Sequence, residues 1–257
     1  MQNPLRQKFQ SQQPAYGFWV SLESPSLTEI AATMGIDWVC IDLEHGHLDY
    51  KELVDHLRAV RGTETAVLVR VPELQVTMIK RALDLGAHGI IVPNIQSAEE
   101  AQRAVQYAKY PPQGIRGIGG ERAVRWGLLS ADYLSTANAE TLVIPLIESR
   151  EAVENIDAIL EVEGVEAIYL GLSDMSASYG YPGQWEAPGI PEIVQTLLTK
   201  TAQNGVASGI LARTPEETLQ RTAEGFSFVC LGSDTSLLIR ALREYRTALG
   251  LPTEPRY

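Results

Sequence analysis

The sequence predicts an α/β fold, a single (β/α)8 barrel. Three observations carry that expectation: eight short apolar runs rich in β-branched residues, helix-period segments between them, and a chain of 257 residues with no linker or low-complexity stretch. Alternating strands and helices imply a parallel sheet with right-handed crossovers. Eight such units in about 250 residues suit a closed barrel better than an open doubly wound sheet. Residues 1–257 therefore read as one domain, with 1–14 a tail or short helix before the first strand.

The eight runs are GFWVSL (17–22), WVCIDL (38–43), AVLVRV (66–71), GIIVPN (89–94), VIPLIE (143–148), AIYLGL (167–172), VASGIL (206–211) and FVCLGS (228–233). Each has the length and β-branched content of a buried strand. Between them lie YKELVDHLRAVR, TMIKRALDLG, AEEAQRAVQYAK, REAVENIDAILEVEG and TPEETLQRTAEG. Their apolar residues recur at i, i+3, i+4 and i+7, the stripe a helix turns toward a sheet. Ser97 and Thr214 stand where N-caps belong, and Pro215 fits a first helical position. Gly86, Gly164 and Gly225 follow helical stretches, where a left-handed cap is needed. Two connections are long. Residues 173–190 follow the sixth strand and belong at the working face, because barrel sites are built from loops after the strands' C-terminal ends. Residues 110–135 precede the fifth strand and must fold over to contribute.

Composition narrows the partners. A formal charge of −11 argues against a nucleic-acid partner and against docking on anionic lipid, while leaving small anionic ligands open. The N-terminal MQNPLRQKFQSQQP lacks the apolar core of a signal peptide, and no stretch approaches a membrane span. The expectation is a cytoplasmic protein in which Cys40 and Cys230, both in apolar runs, are inert core thiols.

Polar residues gather at strand ends: Asp42, Glu44 and His45 after the second, Arg70 in the third, Glu148 ending the fifth and Asp174 after the sixth. In a barrel these ends converge. Glu148 and Asp174 are the natural metal pair for an oxygen-loving ion such as Mg²⁺ or Mn²⁺; the competing reading is that each caps a neighbouring helix. His45 suits a general base, since imidazole titrates near neutrality; the alternative is a loop histidine bonded to backbone. Arg70 interrupts a strand, so it must meet an anion: a substrate carboxylate or enolate, or Asp42 or Glu44 internally. Asp84, in KRALDLG, reads first as a helix-surface residue, and His47, His56 and His88 read as structural.

The glycine-rich GIRGIGG (114–120) matches neither a dinucleotide fingerprint nor a phosphate-binding loop. It reads as a substrate-facing loop, with Arg116 and Arg122 as carboxylate contacts. No G-x-S-x-G elbow exists, which removes the usual serine hydrolase. The five lysines, Lys8, Lys51, Lys80, Lys109 and Lys200, fall in the tail or in helical patterns. A Schiff-base aldolase needs a desolvated lysine inside the barrel. Enolate chemistry here must lean on a metal.

Several motifs in order, DLEHG (42–46), VRVP (69–72), IIVPNIQSAEEA (90–101), YPPQGIRGIGG (110–120), LIES (146–149) and GLSDMSASYGYPGQ (171–184), give a chain that resembles the HpcH/HpaI aldolase family. These are class II pyruvate aldolases of the 4-hydroxy-2-oxoheptanedioate aldolase kind, and the last motif is also similar to members near macrophomate synthase. The resemblance implies a TIM barrel of the phosphoenolpyruvate/pyruvate type and aldol cleavage of a 4-hydroxy-2-oxo acid to pyruvate and an aldehyde. It implies a divalent ion (Mg²⁺, Mn²⁺ or Co²⁺) on Glu148 and Asp174, with His45 as base and Arg70 steadying the enolate. Asp84 becomes a carboxylate that raises the basicity of His45 across a subunit interface, and Ser173 a backbone contact to the substrate carboxylate. It also implies a homohexamer whose last helix packs on a neighbour. One departure is visible: many members carry Gln two residues before the metal-binding Glu, where this chain has Leu146. Rival expectations are oxaloacetate decarboxylation, which reaches the same enolate, and a catalytically silent keto-acid-binding barrel.

Overall fold

Strand residues alternate between two apolar environments, and that alternation aims the candidate site. The molecule, seen in a computed structural model, is described over residues 2–254. Met1 and residues 255–257 of the expected domain lie outside the described residues. All eight strands form: β1 (Ala15–Val20), β2 (Trp38–Asp42), β3 (Ala66–Arg70), β4 (Gly89–Val92), β5 (Leu142–Ile147), β6 (Ala167–Leu170), β7 (Ala207–Leu211) and β8 (Phe228–Ser233). They pair in sequence order, all parallel, and β8 closes on β1.

The helices are α1 (Pro4–Gln10), α2 (Pro25–Thr33), α3 (Tyr50–Ala59), α4 (Val76–Leu85), α5 (Ala98–Ala108), α6 (Ser130–Glu140), α7 (Arg150–Glu154), α8 (Ile156–Leu160), α9 (Leu172–Ser178), α10 (Ile190–Gln203), α11 (Pro215–Glu224) and α12 (Asp234–Ala248). The expected caps are in place except at Gly164: α8 ends at Leu160 with Glu161 as its C-cap, and Gly164, though left-handed at φ 95°, lies beyond it in the turn. Ser97 accepts from the Glu100 N–H and Thr214 from the Glu217 N–H, while Gly86 and Gly225 end their helices at φ 106° and 109°. REAVENIDAILEVEG departs from a single helix: it breaks at Asn155, whose side chain donates to the Gln96 carbonyl.

Outward residues such as Val39, Ile41, Val67, Val69, Ile90 and Ile168 meet the helices in one buried cluster. Inward residues such as Trp38, Cys40, Leu68, Ile144, Leu146, Tyr169 and Phe228 fill the barrel in another. The interior is a stack of rings: Trp38, Tyr169 and Phe228 meet at centroid separations of 5.6–6.5 Å, with Trp19 above and Phe9 below. Two glycines make room for them. A Cβ at Gly17 would lie 2.2 Å from Trp38, and one at Gly209 2.5 Å from Phe228 and Tyr169. Helix α1 lies under the strands' N-terminal end, with Leu5 fully buried, so the expected tail or helix is a helix. Cys40 and Cys230 are free and buried in the interior, where burial pushes both thiols up, Cys230 to about 11. They are inert at neutral pH. Among the described residues, no helix is long and apolar enough to cross a membrane.

Candidate active site

The same alternation turns Asp42, Arg70 and Glu148 inward at the C-terminal rim. Asp42 and Arg70 are register partners in adjacent strands. The guanidinium grips the carboxylate at two points, Nε to Oδ1 at 2.8 Å and Nη2 to Oδ2 at 2.5 Å. Its third nitrogen, Nη1, lies 2.9 Å from Glu44 Oε2, and the group rests 5.3 Å from the centroid of Trp19. Burial pushes the Asp42 carboxyl up, but Arg70 and the N–H groups of His45 and Glu44 outweigh it, so it stays below its ordinary value. Glu44 is raised, by burial first and against the pull of Arg70.

Glu148 follows β5 and is 7% exposed. Its Oε1 accepts the Asn94 N–H at 2.8 Å, and Oε2 has no hydrogen-bond partner among the described residues. Burial, followed by the charges of Glu44 and Asp174, raises it to about 7, against the Asn94 N–H and Arg70. Asp174 stands exposed in the first turn of α9, beside this group. Gly171 is what lets the strand end come so close: a Cβ there would fall 2.8 Å from Glu148 Cβ and 3.0 Å from Oε2. A desolvated carboxylate with one free oxygen, facing further carboxylates, is a site short of positive charge. These residues fit a divalent cation. Among the described residues no set of three or more His, Cys, Asp or Glu side chains forms a ready-made metal cage, so a cation here would draw its other ligands from water and substrate.

His45 is exposed on the same loop, its backbone N–H donating to Asp42 Oδ1 at 3.2 Å. Ser173 is exposed beside Asp174 on α9, which occupies the start of the long 173–190 connection. Both belong to the rim with Glu148, Asp174 and Arg70. Asp84 does not. It lies in the last turn of α4, which runs back to the strands' N-terminal end, where its carboxylate meets Arg116 at 2.8 Å.

Two expectations are corrected here. Arg116 is 1% exposed, held between Tyr110 and Tyr133, and is no substrate contact in its own chain. Arg122 donates to the carbonyls of Leu57 and Leu85, at the ends of α3 and α4. The 110–135 connection starts and finishes at the barrel's lower end, so it stays there instead of folding over the mouth. His56 and His88 are structural as expected: His56 Nδ1 lies 2.7 Å from Thr28 Oγ1, and His88 Nδ1 accepts the Val67 N–H at 3.0 Å. No lysine lies in a strand. Lys109 is buried and lowered, by burial first, to about 8, but it donates to the Asn138 and Thr141 carbonyls at the lower end, away from the mouth.

Sequence reasoning missed Trp19, Asn94 and Gly171. Trp19 sits in an apolar run and looks like core; Asn94, at φ 55°, gives no sign in sequence that its N–H will meet Glu148.

The profile of the HpcH/HpaI aldolase/citrate lyase family matches residues 15–241. A 2-keto-3-deoxy-L-rhamnonate aldolase of Salmonella typhi is 36% identical over 244 residues, 94% of this chain and 91% of that protein. The crystal structure of an HpcH/HpaI aldolase/citrate lyase family protein from Burkholderia cenocepacia J2315 is 34% identical with a TM-score of 0.92, covering 96% of this chain and 99% of that one. Macrophomate synthase is 25% identical with a TM-score of 0.82, covering 96% of this chain and 89% of that one. A match over nearly the whole barrel, including the rim, means that this chain belongs to the HpcH/HpaI aldolase/citrate lyase family.

Proposed function

We propose that this chain is a metal-dependent carbon–carbon lyase, a class II aldolase that reversibly cleaves a 4-hydroxy-2-oxo acid to pyruvate, or a close analogue, and an aldehyde. One observation carries the reading: Glu148, with an oxygen free and its carboxyl raised to about 7, faces Asp174 and Glu44 beside the Arg70 guanidinium. The relatives named as 2-keto-3-deoxy-L-rhamnonate aldolases support it.

Glu148 and Asp174 would hold the divalent ion (Mg²⁺, Mn²⁺ or Co²⁺), whose contribution is Lewis-acid polarisation of the keto group. The chain's own residues do the rest. The backbone at Ser173 orients the keto acid's carboxylate. His45, free in its ring and exposed at the rim, takes the methyl proton and returns it. Arg70, fixed by Asp42 and Glu44, offers a preorganised charge to the oxygen on which negative charge develops. Leu146 leaves an apolar wall where the family resemblance implies a Gln amide, so the keto acid is held by fewer hydrogen bonds.

The rim lacks Asp84, which supports its action from a neighbouring copy in a homohexamer. Helix α12 leaves Leu238, Ile239, Leu242 and Tyr245 exposed, with Leu249 exposed at its C-cap, as a helix packed on a neighbour would.

The test is turnover of pyruvate with a panel of aldehydes, after exhaustive chelation and after adding back Mg²⁺, Mn²⁺ or Co²⁺. Loss on chelation and recovery with metal are expected. Full activity without metal, or substrate trapped on the chain by borohydride, would refute the reading. Oxaloacetate run alongside measures the decarboxylation rival. Pyruvate methyl exchange into deuterated water excludes a silent binding barrel.

A further inference from the structure

At the barrel's lower end, far from the rim, the chain collects more positive charge than its neighbours cancel. The guanidiniums of Arg58, Arg61 and Arg125 crowd Arg122, whose pKa falls through burial first and then their repulsion. Arg61, Arg122 and Arg125 line a cavity of about 200 Å³ with Thr63, Gly86 and His88. Among the described residues only Arg58 of these has a carboxylate partner, Asp55 at 2.7 Å. Arg61 and Arg125 have none among the described residues, and their sequence neighbours Glu64 and Glu121 form no ion pair with any of the cluster. This occurs in a chain of net charge −11.

Arg122 donates once from each Nη to the Leu85 and Leu57 carbonyls, at the C-terminal ends of α4 and α3. Each helix end carries about half a negative charge. Asp55 cancels one guanidinium and the two helix ends about one more, leaving roughly two positive charges unanswered.

Two further details mark the residues that line the cavity. His88 Nδ1 accepts the Val67 N–H, which puts the neutral ring's proton on Nε2, and no acceptor among the described residues takes it. Arg125 and Trp126 adopt consecutive left-handed conformations, φ 51° and 55°, which non-glycine residues resist. Gly86 is needed too: a Cβ there would strike Arg122 Nη1 at 2.8 Å.

We propose that this cavity is a second binding site, for a small phosphate-bearing anion held by Arg61, Arg125 and His88 beside the fixed charge of Arg122. The cavity is smaller than the roughly 300–1,000 Å³ that drug-sized ligands occupy, so it takes a phosphate group and little else. Phosphate's negative charge of about two matches the surplus.

The experiment is calorimetric titration of the full chain with inorganic phosphate and, separately, glycerol phosphate; which of the two binds more tightly tells free phosphate from an ester. One saturable site per chain is expected, weakened at least about tenfold in Arg61→Ala/Arg125→Ala, the equivalent of losing about 1.4 kcal/mol. Arg61→Ala alone, at an exposed turn, serves if the double variant does not fold, and should weaken binding several-fold. Arg70→Lys must bind the anion as tightly as the parent. No saturable binding of either probe, binding that survives the substitutions, or loss of binding in Arg70→Lys overturns the proposal. Size-exclusion and melting of the double variant without anion complete the test. An unchanged assembly with equal or higher melting temperature is expected, because repulsion is relieved. A smaller assembly would mean that a neighbour's carboxylates fill the cluster, and a fall of several degrees that the arginines only cap helices; either overturns it.

Discussion

Asp42 and Arg70, register partners on neighbouring parallel strands, form a two-point ion pair in which both ends of the carboxylate are held by one guanidinium. The pair is made by strand pairing itself, so its geometry is as rigid as the barrel. A planar fork in a fixed position is what a developing negative charge needs, because no reorganisation remains to be done at the moment of reaction.

Arg70→Lys should therefore cut aldol turnover by about 10²–10³-fold with the fold intact. An ammonium keeps the charge but cannot grip Asp42 at two points while reaching Glu44. Steady-state kinetics beside a circular dichroism melt check this; near-normal kcat would remove the arginine from the reaction.

Glu148 gives a pH signature. Its folded value of about 7 lies above the reference 4.5, so between these the unfolded chain binds fewer protons than the folded one. Its contribution to the stability of metal-free protein is fully present below about 4.5 and is lost as pH rises toward 7, on the order of 3 kcal/mol in all. Saturating Mg²⁺ should erase the loss, since a cation favours the ionised carboxylate. Urea melts at pH 5 and pH 7.5, with chelator and with Mg²⁺, test this. The same pH slope in both would show that no cation reaches Glu148.

Gly171→Ala should weaken metal binding at least about tenfold. The backbone there, φ −89°, accepts any residue, so the effect is purely one of space: the new methyl pushes into Glu148 Cβ and Oε2. Mn²⁺ titration followed by electron paramagnetic resonance reads it without reference to turnover. Unchanged affinity would exclude Glu148 as a ligand.

Leu146→Gln should lower the KM for the keto acid several-fold while costing about 1–3 kcal/mol of stability, because an amide enters an apolar layer beside Tyr169. A thermal melt and keto-acid saturation curves separate the two effects. An unaltered KM would mean that the substrate does not touch this wall.

The fold was legible because buried parallel strands announce themselves as apolar runs, and all eight form within two residues of their expected starts. Polar residues at the strand ends, Asp42, Glu44, His45, Arg70, Glu148 and Asp174, marked the rim because those ends converge in a barrel; which of them turn inward, Asp42, Arg70 and Glu148, came from the structure. Arg70 resolves the two readings of its anion in favour of an internal pair with Asp42 and Glu44 in the free chain. What sequence hid was the far side of long connections. Arg116 and Arg122 looked like substrate contacts because their glycine-rich setting resembles a binding loop. Whether such a segment bends up or stays down depends on tertiary partners, here Asp84 and the carbonyls of Leu57 and Leu85, that lie 32 residues or more away in the chain and leave no local pattern. Asn94 was hidden for a related reason, since its contribution is a backbone N–H, which every residue but proline has.

The placement of Leu5 and Phe9 beneath the aromatic stack has a kinetic consequence. With its floor stoppered and its middle filled by rings, the cylinder has one doorway. Whatever reacts against Glu148 must come and go through the opening that His45 overlooks. A keto acid seated deep would have to arrive before an aldehyde stands in front of it, and would be the last to depart after cleavage. Sequential traffic of that kind is written into the plug at the bottom as much as into the chemistry at the top.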